Sequence, residues 1–194
     1  MKEITTNSWE DFLQRLNKLK GTFEKGFYYR GQEDSKWGLE TTLERATDKT
    51  FSVQSYLNKC IGASKIIESH DESEFDLPES TEVYKKRREQ IENFGSYFVE
   101  MPGYDYLVFL RHHGFPSPLL DWTRSIYIAA FFAFYKVNTE ETGSVSIYAY
   151  SKNDLDINTD FDKKAQIYRL GEYVKTHPRH FLQQADYTIA VEYR

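Results

Sequence analysis

Arg30 stands between an aromatic run, Phe27-Tyr28-Tyr29, and the pair Gly31-Gln32. A guanidinium stays charged throughout the pH range of protein stability and presents a planar fork of donors to a carboxylate or a phosphate. The aromatic run favours a strand, and Gly31 is expected to end it. An arginine at the end of a strand is held rigidly. The neighbouring glycine lets a ligand or another stretch of backbone come close. Gln32 adds two donors and an acceptor. Together the three residues read as an anion clamp. The internal alternative is an ion pair between Arg30 and a carboxylate elsewhere in the chain, and Asp121 is the obvious partner.

Asp121 lies in a second segment with chemical potential, "RHHGFPSPLLDWT", residues 111–123. His112 and His113 fall in the last turn of a helix that Gly114 ends, where the carbonyl end of the dipole favours imidazolium. Adjacent helical residues point about 100° apart, so one histidine at most faces a given site. His113 is the candidate acid–base residue, with a single structural hydrogen bond as its alternative, and His112 is expected to pack or face solvent. Two histidines on different faces with one aspartate and no thiol make a poor ligand set, so no metal is expected. Pro116 and Pro118 hold Phe115–Pro118 extended. Thr123 is expected to cap the next helix, with Trp122 and Tyr127 as its hydrophobic staple. That frees the Asp121 carboxylate to seek a cation or several N–H donors. His113 and Asp121 are the candidate catalytic pair. Trp37 is a candidate ring-stacking residue, with core packing as its alternative. Trp122 reads as a core anchor, Cys60 as a small core residue, and the basic run Tyr84–Gln90 as a solvated helix face.

The elements that must position these groups indicate an α+β fold, a small mixed or antiparallel sheet packed against a mainly helical middle segment. A first helix is expected from Ser8, its N-cap, to a left-handed Gly21, with Trp9, Phe12, Leu13, Leu16 and Leu19 on one stripe. Residues 33–46 read as turn, short extended piece and turn. Further helices are expected over about 52–69, from Ser80, and over about 103–113. The run "RSIYIAAFFAFYK" is apolar nearly all round and is expected to be the central buried helix. "GSVSIYAY", "QIYRL" and "DYTIAVEY" read as strands, with a short helix over Arg179–Gln184.

With 194 residues the chain fits one domain, and 40% hydrophobic with 16% aromatic residues suffices for a core. A net charge of −5 argues against global attraction to nucleic acid or an anionic membrane. One cysteine excludes an internal disulfide framework. The polar N-terminus lacks a secretory core, and the longest apolar run, Ile126–Tyr135, is ten residues where a span needs about 20. A cytoplasmic protein without membrane contact is expected.

Tyr29-Arg30-Gly31, the block Leu119-Leu120-Asp121-Trp122-Thr123, the small-residue run "YIAAFFA" and the looser "PRHFLQQADY" together resemble the FRG domain family, a bacterial and phage-associated group. The resemblance covers about residues 8 to 190. Tyr29 stands where the signature has Phe, Ala185 where the third block has Gly, and Ser117-Pro118 where members often carry Thr and Arg. The resemblance implies a single domain over residues 1–194, cut short at its C-terminus, and a ligand role for Arg179 in the third block. It implies no settled activity and no named cofactor. The expected function is a cleft for a phosphate-bearing small molecule or nucleotide. Arg30, Gly31, Gln32, Trp37 and Arg179 would bind, and His113 and Asp121 would form a polar wall. The alternatives are a sensing or adaptor module of a defence system whose motifs form a structural polar network, and an ADP-ribosyltransferase-like enzyme using NAD with Glu192 as its acid.

Overall fold

The computed structural model describes residues 3–21, 26–47, 52–68, 103–137, 143–151, 165–170 and 179–192. The helix expected from Ser80 and the basic run Tyr84–Gln90 lie outside them. Helix α1 (Trp9–Lys20) begins on Ser8, whose hydroxyl accepts from the Asp11 amide at 3.1 Å. Its stripe, Trp9, Phe12, Leu16 and Leu19, packs on Phe27 and Tyr29. Gly21 closes it with φ −64°, in right-handed rather than left-handed geometry, because its amide still donates to the Asn17 carbonyl as a helical residue does.

Five strands follow the aromatic and β-branched runs: β1 (Phe27–Gln32), β2 (Leu119–Thr123), β3 (Ser146–Ser151), β4 (Ala165–Arg169) and β5 (Ala185–Glu192). Their order is β3-β1-β2-β5-β4, and every neighbouring pair is antiparallel. With the helices this makes the fold α+β, as expected. Gly31 does not end β1; it pairs with Ile147 of β3 and the strand continues through Gln32. Residues 33–46 contain a short helix, α2 (Thr42–Ala46), where only turns were expected. Thr41 and Glu44 form a complete capping box at its start, a Thr-x-x-Glu signal present in the sequence.

Alternation along the strands divides the side chains between two faces. Leu119, Ala185, Tyr187 and Ile189 pack on helices α3 (Val53–Glu68) and α4 (Tyr104–His112). Tyr28, Leu120 and Trp122 pack on the opposite face with Tyr148 and Tyr150. The central helix is α4, which buries Tyr104, Tyr106, Leu107, Val108 and Leu110.

The helix expected at the centre, α5 (Ile126–Phe134), buries only Ile126, Ala129 and Ala133, while Tyr127 and Phe131 are more than half exposed. An apolar circumference carries no information about which side faces the core. Here backbone proximity decides, because the small alanines lie against β1. The N-cap of α5 is Ser125, whose hydroxyl accepts from the Ile128 amide. Thr123 belongs to β2; it donates to the Gln183 carbonyl at 2.7 Å and accepts from the Ser125 amide. The expected staple does not form. Trp122 packs edge-on to Tyr150 and donates from its indole to Thr188, and Tyr127 tilts against Trp9. Among the described residues no helix is long and apolar enough to cross a membrane.

The α5 backbone passes so near β1 that a Cβ on Gly31 would meet the Ala129 carbonyl oxygen at 1.8 Å and the Ala133 nitrogen at 2.7 Å. Neither atom can swing aside. Gly114, at φ +81°, has nothing within 4 Å of its would-be Cβ. Gly31→Ala is therefore expected to cost about 3 kcal/mol or more through overpacking, and Gly114→Ala about 1 kcal/mol through left-handed strain alone. Thermal melts of the two variants check the order; equal losses would contradict it.

Candidate functional site

Strand β1 forms six residue pairs with β3, and β2 forms five with β5, yet β1 and β2 pair only at Tyr29 and Thr123. Beyond that point the two strands part. Arg30 reaches across the gap and donates from Nη1 to the Asp121 carbonyl oxygen at 3.0 Å and to its carboxylate Oδ1 at 2.5 Å. The guanidinium so takes a backbone acceptor that a fully paired β1 would have satisfied.

Arg111, in the last turn of α4, donates from Nη2 to the same Oδ1, and from Nη1 to the Thr42 hydroxyl at 3.3 Å. Both arginine side chains are nearly buried, whereas the Asp121 side chain is 41% exposed. Burial pushes the Asp121 carboxyl up, but the Arg111 and Arg30 guanidiniums outweigh it and hold the carboxyl well below the ordinary carboxylate range. A carboxylate with so little affinity for a proton is a weak general base. Its chemistry here is to fix two cations.

The proline stretch supplies the rigid frame expected of it, and the structure identifies its anchors. The Tyr56 hydroxyl donates to the Pro116 carbonyl at 2.7 Å, the Ser117 amide donates to the Thr42 hydroxyl at 2.9 Å, and the Leu43 amide donates to the Ser117 carbonyl. The start of β2 is thus tied to α2 and α3 before Asp121 is reached.

The gap between β1 and β2 opens into a cleft of about 730 Å³. Arg30, Gly31, Gln32, Trp37 and Asp121 all line it. Gly31 serves the close approach of helix backbone described above. Gln32 is buried, and its Nε2 donates to the Gly38 carbonyl at 2.9 Å. Trp37 is half exposed rather than part of the core. Lys36, Arg45, Glu33 and Glu40 also line the cleft.

Three cleft-lining residues in a row of four carry buried polar atoms with no hydrogen-bond partner among the described residues: Tyr29 Oη, Arg30 Nε and Gln32 Oε1. Burial pushes the Tyr29 phenol up to about 12, so it stays protonated.

His113 is not among the cleft-lining residues. It is exposed, its Nδ1 donates to the Phe109 carbonyl at 2.8 Å, and its ring lies 4.1 Å from that of Phe109. The inward-turned histidine is His112, whose Nε2 meets the Tyr187 hydroxyl at 3.3 Å. Arg179 opens helix α6 (Arg179–Leu182), and its side chain lies outside the described ones. Glu192 ends β5, seven residues from cleft-lining Ala185, or about 23 Å along an extended strand.

Sequence reasoning passed over Arg111, Lys36 and Arg45. For Arg111 the available signal was its place ten residues before Asp121, across a proline-stiffened turn. Also unforeseen was a second ion pair, Arg169 to the fully buried Asp186 at 2.8 Å.

Asp121→Asn leaves two guanidiniums facing each other with no counter-charge. After discounting for the partial exposure of the carboxylate, the expected cost is about 2 kcal/mol. The pH dependence has a definite sign. The folded carboxyl releases its proton more readily than the unfolded one, whose ordinary value is 3.8. Its stabilisation is therefore complete above about pH 5 and is lost as pH falls below about 4. Melting temperatures followed downward through that window should drop more steeply for the wild type than for Asp121→Asn; parallel curves would contradict the assignment.

Among the described residues no cluster of His, Cys, Asp or Glu could hold a metal ion. No curated protein and no solved structure matches the chain. The FRG domain matches residues 25–142, a stretch that holds the Arg30 strand, the Asp121 strand, Arg111 between them and helix α5. With more than half of its length matched, the chain belongs to the FRG domain family.

Proposed function

We propose that the cleft between β1 and β2 binds a small molecule through a phosphate group. The observation that carries this reading is the Arg30 guanidinium, which lines the cleft and is held on Asp121 together with Arg111 behind it. Two guanidiniums, Arg30 and Arg111, share one carboxylate oxygen. Among the described residues this group carries one positive charge in excess, and arginine cannot shed it by losing a proton. In number the charges of Lys36 and Arg45 are matched by Glu33 and Glu40. Arg30 and Asp121 belong to the cleft lining and Arg111 backs them, so an anion placed against Arg30 gains from the excess charge behind it. The unpartnered Arg30 Nε is one further donor for it. In this reading Asp121 orients the cations, and His113, outside the cleft lining, has no part in the contact.

The second reading is that Arg30, Asp121 and Arg111 form a purely structural network within a sensing or adaptor module. It is favoured by the fact that Arg30 and Arg111 each already reach Asp121. An NAD-using transferase has less support, since Glu192 lies so far along β5 from the cleft.

Binding of inorganic pyrophosphate, followed by calorimetry and thermal shift, separates the first two. The phosphate reading expects binding that weakens with added salt. Arg45→Ala, at an exposed cleft-lining position, is expected to weaken it severalfold at unchanged melting temperature. Arg30→Lys, which keeps the charge but loses the fork, is expected to weaken it roughly tenfold. No binding by the folded wild type at millimolar pyrophosphate would leave the structural reading standing.

A further inference from the structure

We infer that the cleft selects a phosphate compound that carries a planar base with an exocyclic amino group. Trp37 would stack on the ring and Gln32 Oε1 would accept from the amino group. This rests on the phosphate reading above and adds the identity of the ligand's other end.

Gln32 supplies the first argument. Its side chain is only 4% exposed. The Gly38 carbonyl can only accept, so the amide nitrogen must be the atom that faces it, and the orientation of the amide is thereby assigned. Oε1 is then the other atom, and it has no hydrogen-bond partner among the described residues. A buried acceptor left unmade is costly, so an N–H brought to it is worth more than the same bond made at a surface. A carbonyl or an ionised oxygen brought there would be repelled. The preference is thus for a donor, and it is fixed by chemistry rather than by shape.

The second argument is Trp37. Its backbone is held on both sides: the amide donates to the Asp34 carbonyl at 3.2 Å, and the carbonyl accepts from the Tyr148 hydroxyl at 2.8 Å. Its side chain is nevertheless half exposed at the cleft. A large indole held in place and left in water is ready to stack on a planar ring. Gly38, which fixes the Gln32 amide, is the next residue, so the ring platform and the unpartnered acceptor are neighbours. The amide is held to the loop by that bond, and Gln32 itself lines the cleft. With Arg30 on the same strand two residues before Gln32, the site offers a ring platform, an acceptor for N–H and a cation for phosphate. Those three features match an amino-bearing nucleotide.

Paired probes that differ at one group test this. AMP and IMP differ by amino against oxo at the base, as do CMP and UMP. Calorimetry with the wild type is expected to show AMP and CMP binding roughly tenfold tighter than IMP and UMP. Gln32→Leu is expected to erase that difference. Trp37→Ala, at an exposed position, is expected to lower AMP affinity towards that of pyrophosphate, and AMP but not pyrophosphate is expected to quench the Trp37 fluorescence that Trp37→Phe lacks. Pyrophosphate binding with equal affinity for both members of each pair overturns this inference and leaves the phosphate reading intact. Absence of binding by pyrophosphate and all four nucleotides overturns both. Should Gln32→Leu fail to fold, the wild-type pairs and Trp37→Ala still decide.

Discussion

Two guanidiniums held on one carboxylate oxygen are the constraint on which the rest depends. Arg30 comes from β1, Asp121 from β2 and Arg111 from α4, so this one contact joins two strands and the central helix. Breaking such a group by removing one member costs more than the pair contributes, because the survivors are left uncompensated. It also sets the electrostatics. An excess of histidine or lysine charge in a desolvated site would be relieved by losing a proton, but arginine does not take that route. The protein is committed to a fixed positive centre, and the surroundings must either bury it or present it. Here both guanidiniums are nearly buried, and of the three groups Arg30 and Asp121 reach the cleft lining.

The cleft itself follows from two opposed anchors. On one side the glycine of β1 is drawn under helix α5, where Ala129 and Ala133 leave no room for even a methyl group. On the other side β2 is laced to β5 along its full length, and its start is tied by Pro116 and Ser117 to α2 and α3. The strands meet at Tyr29 and Thr123 and then must separate. Separation exposes ladder groups to be satisfied, and the Arg30 side chain takes one of them, the Asp121 carbonyl. The same residue that supplies the charge therefore also repairs the sheet.

Much of this was legible in the sequence, and the limits of legibility have physical causes. The Arg30–Asp121 pairing followed from the need of an unassigned carboxylate for a cation. Helix α1 and strands β1, β3, β4 and β5 followed from periodicity. The position of α5 did not, because an all-apolar helix has no polar face from which to read its orientation. Thr123 was expected as the N-cap of α5, a place that Ser125 holds, because a Thr beside a Trp and an apolar run suits a cap as well as a strand; pairing with β5 decided it, and that is not local information. His113 looked like a site residue from its sequence neighbours, but at the frayed end of α4 its nearest acceptor is its own helix carbonyl. Arg111 was passed over for the opposite reason: its partner lies beyond a turn whose path only the assembled proline frame defines.

The block Leu119–Thr123 shows why fold and site are difficult to separate here. Leu119 enters the core beneath α3 and α4, Leu120 and Trp122 enter the aromatic cluster on the other face, Asp121 holds the two arginines, and Thr123 ties the strand to Gln183 and Ser125. Each position has a different neighbour, and strand alternation fixes which. A slip of one residue would place a leucine between the guanidiniums and a carboxylate in a hydrophobic cluster. Substitution within the block therefore reports on folding before it reports on binding. The groups that can report on binding alone are those at the cleft that the sheet does not need: Lys36, Arg45 and Trp37, exposed on the segment that joins β1 to α2 and along α2 itself.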